Sequence, residues 1–183
     1  MDTNKTTTPS PAVPPRKNRG LVRTLGWVLL VAFVAIQFFQ PHKNNQSMDA
    51  THDIATVVPV PDSVHQLLKA ACYDCHSNHT NYPWYSNIQP LGWWLKDHIE
   101  EGKGHLNFQE FALVKGNARF PTPADRQIHK LEEVIETVKD GEMPLKSYTF
   151  IHGEARLSQQ QRQSITAWAQ AAMDTLKARP KNL

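Results

Sequence analysis

Apolar positions divide the chain into one short apolar run near its start and several amphipathic segments after it. The apolar run extends from Leu25 to Phe39, with Gln37 as its strongly polar member. At about 1.5 Å per residue this run covers roughly 22 Å, and the four residues before it extend it to about 28 Å, near the ~30 Å thickness of a bilayer core. The pattern therefore predicts a single transmembrane helix within residues 20–40.

Three later segments, 62–75, 122–141 and 158–178, carry apolar side chains at helical spacing. Each begins with residues typical of a helix N-terminus: Asp62 or Ser63, then Thr122 with Pro123 and Asp125, then Ser158 with Gln161. Shorter helices are predicted over 92–101 and 107–114, and long loops over 82–92 and 141–156. No segment shows sustained strand-like alternation, so the sequence predicts an all-α domain.

Charge is concentrated near the N-terminus, although the whole chain has a net charge of +3. Residues 1–50 carry six basic and two acidic side chains, whereas the other 133 residues carry 14 basic and 15 acidic ones. A nearly neutral body lacks the clustered positive charge of a nucleic-acid-binding surface, so no nucleic-acid partner is predicted. The basic residues before the apolar run favour a cytoplasmic N-terminus and an exported C-terminal domain.

These patterns predict four regions. They are a disordered cytoplasmic tail (1–19), a membrane anchor (20–40), a polar tether containing prolines (41–61) and a helical domain (62–178). A cleaved signal peptide is the competing interpretation of the apolar run, but the bulky residues at its end do not fit a cleavage site. We therefore predict a single-pass anchor in the cytoplasmic membrane, with the membrane as a partner and the helical domain in the periplasm.

Candidate chemistry lies in the motif CYDCH, residues 72–76, which contains both cysteines of the chain. A redox dithiol would begin a helix after a strand, but these cysteines end a predicted helix. A structural zinc site would need further ligands at motif spacing, and a disulfide closing so short a loop stabilises little. The motif therefore predicts one covalently attached haem c, with Cys72 and Cys75 as thioether residues and His76 as an axial iron ligand.

The chain also resembles a family of membrane-tethered bacterial haem-binding domain proteins and, through its motif, the monohaem c-type cytochromes. The resemblance covers roughly residues 60–176, in the segments CYDCHSNHTNYPWYSNIQPLGWWLKDHIEEGKGHLNF and EMPLKSYTFIH and in the helix around Trp168. It implies a small cytochrome c-like helical fold with long loops around the haem. It further implies that the loop carrying Pro90 accepts a hydrogen bond from His76, and that the Trp168 helix packs against the helix leading to Cys72.

The sixth iron ligand has three possible sources. Met143 lies between the helix end at Gly141 and the stiff Pro144, and a methionine thioether is the usual sixth ligand of electron-carrying cytochromes, so Met143 is the predicted ligand. A second histidine is one alternative, with the candidates His98, His105, His129 and His152. A vacant position is the other. Four aromatic residues are candidates for the pocket wall or for ordinary core packing: Trp84, Tyr85, Trp93 and Trp94.

The sixth position separates two hypotheses about function. A thioether bond to the iron favours single-electron transfer on the outer side of the membrane, in a protein that is not itself an enzyme. An open position favours a haem-based gas sensor or a peroxide-reactive domain. We predict electron transfer, and the sequence identifies no redox partner.

Overall fold

The computed structural model describes residues 19–47 and 49–179, and it divides the chain into two compact units, Met1–Phe39 and Gln40–Leu183. In the first unit, helix α1 spans Arg19–Ile36, has no buried residue and has a mean hydropathy of 1.8. By length and composition α1 can cross a membrane, and a signal sequence would meet the same criterion. The predicted disordered tail lies outside the described residues except for its last residue, Arg19, which begins α1.

The second unit is helical, which confirms the predicted all-α class. Its helices are α2 (Ile54–Val57), α3 (Asp62–Ala71), α4 (Tyr73–His76), α5 (Leu91–His105), α6 (Pro123–Asp140), α7 (Lys146–Ile151) and α8 (Gln159–Lys177). Three 3-10 turns join them, at Trp84–Asn87, Phe108–Leu113 and Gly153–Ala155. Within the described residues, β pairing is limited to one isolated antiparallel bridge between Asn45 and His79.

Local sequence signals account for the bounds of the two longest helices of this unit. Thr122 and Asp125 form a reciprocal capping box around Pro123 at the start of α6, and Ser158 does the same with Gln161 at the start of α8. Helix α6 ends at Gly141, whose φ of 74° lies in the left-handed region that glycine adopts without strain. These predicted helix ends are confirmed.

Helices α6 and α8 pack together, and α3 lies against α8. Leu68, Leu131 and Ile165 are fully buried in the shared core. Trp168 belongs to the same core, and its indole N–H donates a 3.0 Å hydrogen bond to the carbonyl of Pro59, just before α3. The predicted contact between the Trp168 helix and the helix leading to Cys72 is therefore present.

Several residues of the segment predicted as a tether, 41–61, pack against the rest of the second unit. Ile54, at the start of short helix α2, and Val58, directly after it, are both buried in the core. Asp53 caps α2 and also accepts a 3.1 Å hydrogen bond from the hydroxyl of Tyr73. Further along, the Asn44 amide donates to the carbonyl of Ser77 at 2.9 Å. Apolar burial and side-chain hydrogen bonds thus order a segment whose composition alone indicated a linker.

Candidate functional site

The motif of residues 72–76 forms a compact turn between two helices. Helix α3 ends at Cys72, where φ is −128° and ψ is −41°, and the short α4 begins at the next residue. The backbone N–H groups of Cys75 and His76 both donate to the carbonyl of Cys72, at 3.1 and 2.9 Å. The two thiols and the imidazole are therefore carried by one rigid turn that is anchored on α3.

The imidazole of His76 is held in one tautomer. Its Nδ1 lies 3.0 Å from the carbonyl oxygen of Leu106, and because a carbonyl only accepts, Nδ1 carries the proton. Burial lowers the pKa of His76, so the ring is neutral at pH 7. A neutral ring protonated at Nδ1 leaves its Nε2 lone pair free for a metal ion. The resemblance implied that the loop carrying Pro90 accepts this hydrogen bond. That prediction is wrong, because the acceptor is the carbonyl of Leu106, the residue that follows α5.

Gly102 of α5 allows this close contact between α5 and α4. A Cβ atom at Gly102 would lie 2.9 Å from the carbonyl oxygen of Cys75 and 3.4 Å from Cε1 of His76. Any side chain here would push α4 away from α5. Gly102 was not among the predicted site residues, although a glycine inside a helix costs about 1 kcal/mol relative to alanine and indicates a packing role.

Aromatic packing fixes the other side of α4. The ring of Phe108 stacks on that of Tyr73 with centroids 5.2 Å apart, and it forms an edge-to-face contact with the His76 ring at 6.4 Å. Phe108 is fully buried in the core. His76 is thus positioned by a hydrogen bond and by a buried aromatic contact.

Both cysteines are free thiols and partly buried. Burial raises the pKa of Cys72 to about 12, with the neighbouring Cys75 adding to the shift, and raises the pKa of Cys75 to about 11. Catalytic dithiols work as thiolates with lowered pKa values. The environment therefore opposes the redox-dithiol interpretation and keeps both sulfurs protonated at pH 7.

Asp74, between the two cysteines, connects the motif to a segment that the sequence analysis treated as a loop. Its carboxylate accepts a 2.7 Å hydrogen bond from the hydroxyl of Tyr148, which lies on α7. The Tyr148 ring stacks on His152 at 4.4 Å, and Nε2 of His152 lies 3.3 Å from the hydroxyl of Tyr85. Sequence reasoning missed Asp74 and Tyr148, because their pairing is visible only once the chain is folded.

Met143 lies in the turn between α6 and α7. Its backbone N–H donates to the carbonyl of Thr137 at 3.0 Å, and one guanidinium nitrogen of Arg162, Nη1, donates to the carbonyls of Val138 and Met143. The partly buried Met143 side chain packs against the same core that Cys72 borders. Within residues 49–179, the described contacts of Met143 lead to this core and to its neighbouring helices, and none joins it to His76.

The alternative sixth ligands are the histidines His98, His105, His129 and His152. Nδ1 of His98 donates to the carbonyl of Trp94 at 2.9 Å, and His129 stacks on Phe120. His105 is exposed at the end of α5. His152 belongs to the network with Tyr148 and, through Nδ1, contacts Glu154 at 3.2 Å.

The aromatic candidates differ in exposure. Trp84 is 76% exposed and Trp94 is 45% exposed, while Tyr85 and Trp93 are half-buried. Trp84 and Trp94 are therefore not ordinary core residues.

The residues of the motif fit a haem. Two adjacent protonated thiols can form thioethers with the two vinyl groups, and the imidazole that follows them offers a free Nε2 to the iron. Within the described residues no group of three or more His, Cys, Asp or Glu side chains is arranged to hold a metal ion. A haem brings four nitrogen ligands of its own, so a single histidine suffices on this side of the iron.

Fold and donor set together define a haem-binding protein. The model of the haem-binding domain family matches residues 31–171, well over half of the chain, and the chain belongs to that family. Searches of the curated proteins and of the solved structures found no match.

Proposed function

We propose that this protein attaches one haem c through Cys72 and Cys75, uses His76 as an axial ligand and transfers single electrons. The observation that carries the proposal is the imidazole of His76, whose Nδ1 donates a 3.0 Å hydrogen bond to the carbonyl of Leu106 and so leaves the unprotonated lone pair on Nε2, the atom that would bind the iron. Membership in the haem-binding domain family supports the cofactor. The two thiols directly before this histidine support covalent attachment.

Attachment needs no net oxidation. In the attached protein, the S–H of Cys72 and that of Cys75 would each add across one vinyl C=C bond, with a C–S bond formed and the thiol hydrogen placed on the neighbouring vinyl carbon. The raised pKa values of Cys72 and Cys75 keep the hydrogen on sulfur until reaction. When bound, the haem iron supplies one-electron exchange between its ferrous and ferric forms.

Met143 is the proposed sixth ligand. Arg162 and Thr137 hold its backbone, and its side chain packs against the same apolar core that Cys72 borders. A thioether at the iron stabilises the ferrous form and blocks the entry of small ligands, which suits an electron carrier. The alternative is a gas-binding or peroxide-reactive haem with an open sixth position, and it is favoured by the described contacts of Met143, which lead to the core and not to His76.

We further propose that α1 is an uncleaved anchor and that the second unit lies on the periplasmic side of the cytoplasmic membrane. The basic residues before α1 support this orientation. Its exposed apolar side chains support contact with lipid. Partners would then be the membrane and other redox proteins in or near it, and nucleic acid would not be a partner.

Acid–acetone extraction tests whether the haem is covalently attached. When the chain is matured with haem c attachment machinery, acid–acetone extraction should leave pigment on the wild-type polypeptide, and Cys72→Ala with Cys75→Ala should abolish it. Met143→Ala should then remove the faint red-edge absorption of an iron–sulfur bond and open the iron to carbon monoxide, while the haem stays attached.

The matched controls are His98→Ala and His129→Ala, which should keep the red-edge band. A colourless wild-type protein contradicts haem attachment. A wild-type protein that already binds carbon monoxide rapidly contradicts a Met143 ligand and favours the gas-binding alternative.

A further inference from the structure

Helix α7 has an unusual surface for a helix of a small domain. None of its residues is buried, Phe150 is 82% exposed and Ile151 is 57% exposed. The helix packs mainly against the short turn that follows it, Gly153–Ala155. A helix that buries none of its apolar side chains gains little from its own contacts, so another apolar surface is needed to explain the two large side chains.

The exposed tryptophan Trp84 belongs to a segment that is linked to α7. Trp84 is followed by Tyr85, whose hydroxyl lies 3.3 Å from Nε2 of His152, directly after α7. Trp84 also forms an edge contact with Tyr85 at 6.0 Å. Single exposed apolar residues are normal on protein surfaces, but these three lie on two segments that a side-chain hydrogen bond joins.

The same segments are linked to the haem motif. The hydroxyl of Tyr148 on α7 donates to the carboxylate of Asp74 at 2.7 Å, and Asp74 stands between the two cysteines. The carboxylate is held on its other oxygen by the backbone and side-chain N–H groups of Asn81, both at 3.1 Å. The hydrogen bond between Tyr148 and Asp74 therefore ties α7 to the turn that would carry the haem.

We propose that Trp84, Phe150 and Ile151 cover an apolar surface of the attached haem, and that the Tyr148–Asp74 hydrogen bond positions α7 for this contact. The inference rests on the proposed haem attachment. A porphyrin is a broad apolar surface, and burying it against exposed aromatic and aliphatic side chains removes apolar area of both from water. Tyr148 and Asp74 are positioning residues in this arrangement, because they act through α7.

Hydrogen–deuterium exchange of the full chain in detergent tests the inference. Exchange in residues 146–151 should be about tenfold slower in the haem-loaded wild type than in the haem-free variant Cys72→Ser with Cys75→Ser, because a covered helix opens less often. Residues 115–119, a mostly exposed stretch away from the contacts of the motif described above, are the internal control and should exchange equally in both forms.

A second measurement uses haem-loaded variants. Phe150→Asn with Ile151→Asn should keep covalent pigment but lower the reduction potential, because greater exposure of the haem to water favours the more highly charged ferric form. Leu113→Asn is the matched control and should leave the potential unchanged.

The outcomes separate the two proposals. A wild-type chain without covalent haem overturns the proposed function and this inference with it. A pigmented chain whose α7 exchanges as fast as in the haem-free variant overturns this inference alone. The same exchange measurement can be made after transfer from detergent to lipid nanodiscs. If residues 146–151 become protected there in both the haem-loaded and the haem-free form, the membrane covers this apolar surface, and the inference is overturned.

Discussion

The His76 side of the site and the Met143–Ala155 segment are held in different ways. On the first side, the imidazole donates to Leu106, and Gly102 lets α5 meet the turn at van der Waals distance. On the second side, a single side-chain hydrogen bond from Tyr148 reaches the motif, and Phe150 is largely exposed. On the first side, the contacts of His76 are made by the polypeptide itself, whereas on the second side large apolar side chains remain exposed.

This difference fits the order of events that the proposed covalent attachment of haem would require. A macrocycle has to reach the two thiols before the thioethers form, so one side of the site has to remain accessible. A preformed imidazole on the other side avoids the entropic cost of ordering the ligand when the haem arrives. Helices α4 and α5 are therefore held together by contacts within the polypeptide, whereas α7 keeps two large apolar side chains exposed.

The largest loss of unfolding free energy is expected for Gly102→Val, on the His76 side of the site. The new side chain meets the carbonyl oxygen of Cys75 within 3 Å, and overpacking of this kind costs up to about 3 kcal/mol of unfolding free energy. Gly104→Val is the matched control, since it lies in the same helix with no atom within 4 Å of its Cβ position. Chemical denaturation measures both, and equal stabilities of the two variants would contradict a packing role for Gly102.

A smaller effect is expected from Arg162→Met, which challenges the Met143 side. The guanidinium holds the carbonyls of Val138 and Met143 at 2.8 and 3.0 Å, and hydrogen bonds from a charged group at a partly buried position contribute about 2 kcal/mol to unfolding free energy. Arg126→Met is the control, because it removes an exposed bond to the carbonyl of Lys115. In the haem-loaded protein, Arg162→Met should also weaken the red-edge band; an unchanged band would show that Arg162 does not position a methionine ligand.

The smallest effect is expected from Tyr148→Phe, which removes the one direct hydrogen bond between α7 and the motif. Loss of a hydroxyl bond to a carboxylate should cost about 1 kcal/mol of unfolding free energy. A double-mutant cycle with Asp74→Asn isolates this pair from the bonds that Asp74 makes with Asn81. Additive losses in that cycle would mean that α7 is positioned independently of the motif.

Predictions made from local sequence agree best with the structure where the cause is itself local. The capping residues of α6 and the glycine that ends this helix act on groups within a few residues of themselves, so the pattern predicts both ends. Helix α7 was missed because its residues lie in a segment rich in loop signals, and its position depends on Asp74, which lies more than 70 residues earlier in the chain. Residues 41–61 were assigned to a tether because their composition is polar, yet Ile54 and Val58 bury completely in the core.

The sequence by itself determined the helical class, the apolar helix near the N-terminus and the adjacency of two thiols and an imidazole, since each depends on spacing along a few consecutive residues. Only the tertiary structure decided which carbonyl orients His76, why Gly102 is needed and how α7 is linked to Asp74. These features join residues from 26 to 74 positions apart, and such pairings follow from how helices pack, which no local pattern encodes. The chemical groups of the motif are therefore fixed by a few consecutive residues, whereas their orientation depends on how the helices pack.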